Sequence, residues 1–215
     1  MVEEAYVYKR PGTLTGFLKV CLILEMIVAI GLTACCVFFS GDIGALNAGD
    51  TSLTEGGGLY GVGCLLILVF LVLNLILFMF WVYRMNSNSR AQMASGMAYT
   101  PAWAVGWFFI PFANLWRPYQ VMSELYRTSQ NPIGWKSRPA PALIGWWWGA
   151  NILSNIVGGI SGKLDGHVDL TTSTIFSIAT FALWATHVGL QFLVVSRISA
   201  AQKKLENTSA VAEVF

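Results

Sequence analysis

Residues 59–83 read LYGVGCLLILVFLVLNLILFMFWVY, a stretch without a single Asp, Glu, Lys or Arg. As a helix it covers roughly 37 Å, more than the hydrocarbon core of a bilayer at about 30 Å. Its apolar residues do not alternate, which excludes a membrane β-strand. In lipid only a helix satisfies every backbone N–H and C=O within the segment. Three further stretches are long and apolar enough to join it: about 17–39 (FLKVCLILEMIVAIGLTACCVFF), about 143–160 and about 171–196. The third, near 18 residues, is close to the lower limit for a span. Composition agrees. Of the 215 residues 11% are charged, where a soluble domain carries about 25%, and mean hydropathy is +0.60. A disordered chain is excluded on these grounds, and a water-soluble globule is argued against. The net charge of +2, without a basic stripe, argues against nucleic acid as a partner.

A fifth apolar stretch, 101–113 (PAWAVGWFFIPFA), is interrupted by Pro111 and reaches only about 20 Å as a helix. Charge decides what it does. If it returns to the side it left, the N-terminus, residues 84–142 and the tail share one side. That side then holds Lys9, Arg10, Lys19, Arg84, Arg90, Arg117, Arg127, Lys136, Arg138, Arg197, Lys203 and Lys204, and the other side Lys163 alone. The positive-inside rule then puts both termini in the cytoplasm. The expected architecture is an all-α integral membrane protein of four spans with a half-inserted segment at 101–113. Residues 1–16 form a cytoplasmic N-terminus, 17–200 one transmembrane domain and 201–215 a cytoplasmic tail that frays at its end. The outer connections, 41–58 with Asp42, Asp50 and Glu55 and 161–170, are too short to fold separately. Leu32-Thr33-Ala34-Cys35 resembles a lipoprotein cleavage box. Glu25 interrupts what would be its apolar region, so Cys35 is read as a helix residue. Cys36 and Cys64 lie at similar depth and their pairing is left open. No Cys or His cluster has metal-ligand spacing, and no cofactor is expected.

Ionisable and amide side chains inside a span are costly and need partners. Glu25 lies about 12 Å from the cytoplasmic end of its span and His187 about 13 Å. Asn74 and Asn151 fall at nearly the same depth, with Asn155 and Gln191 one turn away. These six make a candidate buried polar layer, either a hydrogen-bonded clasp pairing Glu25 with His187 or a site open to the cytoplasm. Beyond the half-inserted segment, Leu115, Tyr119, Met122 and Tyr126 share one helical face, and Arg117, Gln120, Glu124 and Arg127 another. An amphipathic helix over 114–130 is expected on the inner headgroups, with Asn114 as N-cap and Pro118 in its first turn.

These residues also carry a resemblance. TPAWAVGWFFIPFANLWRPYQVMSELYR (100–127), with WVYRMNSNSR (81–90) before it and IGWWWGANILSNI (144–156) after it, resembles a bacterial membrane family known as domain-of-unknown-function family 4328. The likeness covers about 60–200. It implies a four-helix inner-membrane module and brings no catalytic role. On the matching positions Pro111, Asn114, Trp116, Arg117, Pro118 and Glu124 are the first to test.

Eight of the nine tryptophans (81, 103, 107, 116, 135, 146, 147 and 148) lie near the cytoplasmic interface, where a belt would mark both interfaces. They either wedge the half-inserted segment against the third span or line a cavity for an amphiphile. Asn114, Trp116, Arg117, Glu124, Arg127 and Trp147 are therefore candidate binding residues, with the arginines suited to an anionic headgroup. Gly145 with Gly149, and Ala185 with Gly189, offer small faces for helix contact or for a homo-oligomer. No G-x-S-x-G, Walker loop, H-E-x-x-H or in-span carboxylate pair appears. The expected function is a non-enzymatic membrane module that binds a lipid, a small amphiphile or a partner protein at its cytoplasmic half. The alternative is a membrane enzyme or redox protein using His187 with Glu25.

Overall fold

The computed structural model describes residues 6–47, 54–164 and 167–212. Asp50 of the first outer connection and the last three residues of the tail lie outside them. The described chain is helical, with no strand among those residues: α1 (Gly12–Phe38), α2 (Ser40–Asn47), α3 (Glu55–Ala91), α4 (Pro101–Gly106), α5 (Arg117–Gln130), α6 (Ala142–Leu164) and α7 (Leu170–Ala212). Short 3-10 turns occupy Ala113–Leu115 and Trp135–Ser137. Three of the helices, α1, α3 and α7, are long and apolar enough to cross a membrane. In α6 the run Trp146-Trp147-Trp148 and the amides Asn151 and Asn155 dilute the apolar character of a 23-residue helix.

The helices outrun the apolar stretches that announce them. α3 continues past residue 83 to Ala91, and α7 past 196 to Ala212. Hydropathy marks where lipid-compatible sequence stops, whereas a nucleated helix propagates through polar residues while each adds a hydrogen bond. The ends have identifiable caps. Thr54 Oγ1 accepts from Gly57 N (3.1 Å) and Asp42 Oδ2 from Gly56 N (3.2 Å) at the start of α3. Asp169 accepts from both the N–H and the hydroxyl of Thr172 at the start of α7, and these bonds hold its carboxyl below the usual range. At the end of α3, Ala94 N bonds Ser89 O (3.0 Å) and Met93 N bonds Arg90 O (3.1 Å). This is a Schellman arrangement, with Met93 in the left-handed position (φ 70°). Glycine suits that position better, so Met93→Gly is expected to stabilise by about 0.5–1 kcal/mol, read as a raised midpoint in thermal unfolding.

The chain divides into two compact units: Val20–Asn74 with Gly149–Gln191, and Met1–Lys19 with Leu75–Trp148 and Phe192–Phe215. The first is turned inside out relative to a soluble core. Leu59, Val62, Leu65, Leu68, Val69 and Val72 of α3 are exposed, while Glu25, Asn74 and Gln191 are buried. A solvent that favours apolar groups outside is lipid. Gly63 lets Leu32 approach, and Gly189 faces Met26 Sδ at 3.6 Å from where a Cβ would stand. The small face of α7 therefore packs on α1. Gly149 of α6, the other small face, has nothing within 4 Å of where a Cβ would stand. All four cysteines are free thiols.

The second unit holds twelve of the thirteen Lys and Arg residues and eight of the nine tryptophans. Its core sets Trp81, Met85, Met122, Leu125, Trp147, Val195 and Ile198 around a polar seam. There Gln202 Nε2 donates to Met85 O (2.9 Å), Ser129 Oγ (3.1 Å) and Ser89 Oγ (3.2 Å), and Thr128 Oγ1 donates to Ser89 Oγ (3.1 Å). The segment before α1 is pinned by Asn88, whose amide donates to Lys9 O (3.0 Å) and accepts from Lys9 N (3.1 Å). Arg10 pairs with Glu206 at 2.6 Å. Tyr8 lies beside the same carboxylate; burial first, then that charge, pushes its hydroxyl up to about 12.

Candidate functional site

Glu25 is fully buried in the apolar unit. A carboxyl group there is tolerable only with donors on its oxygens. Asn74 Nδ2 supplies one to Oε2 (3.0 Å) and Trp184 Nε1 the other to Oε1 (3.1 Å). Asn74 is itself fixed by Gln191, whose Nε2 donates to Asn74 Oδ1 (3.0 Å), while Asn74 Nδ2 also reaches Gln191 Oε1 (3.4 Å). Three helices thus meet in one clasp: α1 brings the acid, α3 an amide, α7 an amide and an indole. His187 is buried too, its ring centroid 5.6 Å from that of Trp184.

The structure brings together Glu25, Asn74 and Gln191 of the expected layer and adds Trp184, which the depth count did not include. Asn151 and Asn155 stand elsewhere. Asn155 Nδ2 turns back onto Asn151 O (2.8 Å) and Oδ1 (3.1 Å) of its own helix, on an exposed face. Counting along a span gives height and not direction, so residues at one depth need not face one another. Among the described residues no group of three His, Cys, Asp or Glu side chains has the geometry to hold a metal.

The second candidate set, in the charged unit, is largely committed to internal contacts. Glu124 is buried, and its carboxylate accepts Ala98 N (2.8 Å) and Tyr99 N (3.3 Å), tying α5 to the strap between α3 and α4. Burial pushes its carboxyl above the usual range. The two amides oppose the shift, as do Arg90 and Arg127. Arg117 Nη1 reaches Tyr99 Oη and Gln120 Oε1 (both 3.2 Å), and its guanidinium lies 4.8 Å over the Trp107 ring. Arg127 donates to Ser123 O (3.2 Å) and lies over Trp135. Trp147 is buried against Phe78 and Trp148.

The helix expected over 114–130 begins later, at Arg117, because Asn114 falls inside the 3-10 turn Ala113–Leu115 and Trp116 takes the N-cap position. Pro118 does occupy the first turn. The buried face is Val121, Met122, Leu125, Thr128 and Ser129, whereas Leu115 is 56% exposed. A pattern that assigns every polar residue to solvent misses a helix buried partly through Ser, Thr and Glu.

The stretch 101–113 is not one helix. α4 ends at Gly106, and tight turns carry the chain through Phe112, which has φ 62°. Phe108 points inward, edge-on to Phe78 (5.9 Å) and Trp148 (6.1 Å), and Trp148 Nε1 donates to Leu115 O (2.8 Å). Phe109, Phe112, Leu115, Trp116 and Asn114 point outward, with Phe112 81% exposed. A bulky residue held at positive φ with its ring in the open is a costly arrangement that the internal core does not require.

No curated protein and no solved structure matches the chain. One family model does, the Domain of unknown function (DUF4328), over residues 50–200. That region takes in Asn74, Trp184, Gln191, the aromatic loop and α5, and leaves Glu25 outside. By this match, which runs over more than half of its length, the chain belongs to the DUF4328 family.

Proposed function

We propose that the chain is a four-span membrane module that grips the cytoplasmic leaflet with its aromatic, cationic unit and binds a lipid or small amphiphile there without chemistry of its own. α6 is the fourth span. Its 23 residues reach about 35 Å, and Trp146, Leu153, Ile156 and Ile160 turn outward as lipid-facing residues do. Residues 101–113 hold the half-inserted element, and its outward rings continue to Leu115 and Trp116. Twelve cations in one unit against Lys163 in the other support placing both termini in the cytoplasm.

The observation that carries this reading is the outward row Phe109, Phe112, Leu115 and Trp116, braced from behind by Phe108 and Trp148. Exposed rings on a turn within the cation-rich unit suit the headgroup region, where aromatic side chains prefer to sit. A non-catalytic role is supported by the clasp, in which both Glu25 oxygens are already engaged. A fluorophore attached to Phe112→Cys is expected to be quenched by nitroxides placed high on lipid acyl chains. Arg138→Cys should react with an impermeant thiol label only from the cytoplasmic face, and Lys163→Cys only from the other. Labelling of Arg138→Cys from outside, or an unquenched probe at 112, would sink the proposal.

A further inference from the structure

The first turns of α1 and the cytoplasmic turns of α7 enclose a cleft of about 560 Å³. That volume is ordinary for a small-molecule site. Its lining is cationic and hydroxylated: Arg10, Lys19 and Lys203, with Thr15, Ser196 and Ser199. One carboxylate, Glu206, also lines it and takes Arg10 Nε at 2.6 Å. Lys19 and Lys203 have no ion pair among the described residues, so the cleft keeps an excess of about two positive charges. Lys19 Nζ stands 5.6 Å from the Phe192 ring centroid, aimed by the ring rather than by an acid.

The hydroxyls divide in the same way. Ser199 Oγ is committed to Trp81 Nε1 (3.1 Å) and Thr15 Oγ1 (3.3 Å). Ser196 Oγ is buried without a partner among the described residues. A buried hydroxyl left open beside two unpaired ammonium groups is an unfinished anion site. Gly12 and Gly16 leave the wall of α1 bare, with nothing within 4 Å of where a Cβ would stand.

We infer that this cleft binds a phosphate group, held by Lys19, Lys203 and the Ser196 hydroxyl, with Arg10 kept in place by Glu206. Phosphate carries the charge and the acceptor oxygens that this donor set lacks. The lining falls at the two places where apolar sequence gives way to polar, near residues 17 and 196. An anionic phospholipid presents its phosphate at that level, so the lipid headgroup is the favoured source and a soluble phosphate ester the other. The inference rests on the membrane placement proposed above and names the ligand chemistry of the same cytoplasmic half.

The test uses the full chain in nanodiscs of phosphatidylcholine with phosphatidylglycerol, extracted gently and weighed by native mass spectrometry. Wild type is expected to retain phosphatidylglycerol over phosphatidylcholine by about tenfold, because the choline cation that neutralises the second lipid's phosphate is repelled by the cleft's excess positive charge. Gly16→Leu, which fills open space, and Lys203→Gln should each lower that preference by about tenfold, the scale of one charge-assisted contact. Arg197→Gln, an exposed cation outside the cleft, should leave it unchanged. Should Gly16→Leu fail to fold, Lys203→Gln alone decides. Displacement of the lipid by millimolar glycerol phosphate would make the free ester the source and keep the phosphate assignment. Equal retention of the two lipids by wild type, or equal losses in Lys203→Gln and Arg197→Gln, overturns it. Quenching of the probe at residue 112 in the Gly16→Leu background separates the two failures, since loop insertion does not depend on the cleft.

Discussion

Asn74→Leu is expected to be the most damaging single substitution in the apolar unit, by about 3 kcal/mol. Leucine keeps the branched skeleton of asparagine without its polar atoms, so most of the cost is electrostatic. It takes one of two donors from the Glu25 carboxyl and leaves the Gln191 amide facing hydrocarbon. Trp184→Phe removes the other donor and keeps the ring, so a smaller loss of about 1–2 kcal/mol is expected. Removing the acid as well should recover stability. The double variant Glu25→Leu with Asn74→Leu has no stranded carboxyl and should melt above Asn74→Leu alone, because deleting both partners costs less than orphaning one. Thermal denaturation in detergent, scored by the fraction remaining monodisperse, reads all four proteins. An Asn74→Leu variant as stable as wild type would show that the clasp contributes nothing.

Glu124→Ala is expected to cost about 2 kcal/mol in the charged unit, since it empties a buried position and takes the acceptor from the N–H groups of Ala98 and Tyr99. The loss should appear locally as well, as faster proteolysis of residues 92–100, which Glu124 holds against α5. Its pH dependence has a definite sign. Burial raises the carboxyl above its ordinary value, so the folded state binds the proton more tightly than the unfolded one. The site's contribution is then fully present below the usual carboxylate range and is lost as pH rises through the raised value. Relative to the non-titrating Glu124→Gln, wild type should gain stability between pH 7 and pH 4.5. A gap between the two that is constant or shrinks on acidification contradicts this account.

Much of this architecture can be read from residue types alone. The apolar runs around Glu25, Asn74 and His187 mark the long helices, and the distribution of Lys and Arg matches the division into two units. What resists such reading is direction. Asn151 shares a depth with Asn74 yet bonds Asn155 of its own helix, whereas Trp184 enters the clasp because α7 presents that face to α1. Glu124, Thr128 and Ser129 look like a solvated stripe and are buried, because their partners come from distant segments such as Ala98 and Ser89. The cleft leaves a fainter trace. Ser196, Ser199 and Lys203 recur at helical spacing, as do Thr15 and Lys19, but only folding sets the two rows face to face.

The clamp of Asn88 on the backbone of Lys9, together with the pairing of Arg10 with Glu206, bears on biogenesis. Lys9 and Arg10 are made well before the partners that hold them, Asn88 in α3 and Glu206 in α7. The segment before α1 therefore stays loose while the spans insert and docks only once α7 has been made. A bulky fusion placed there would hinder the closing step of assembly and leave insertion itself untouched.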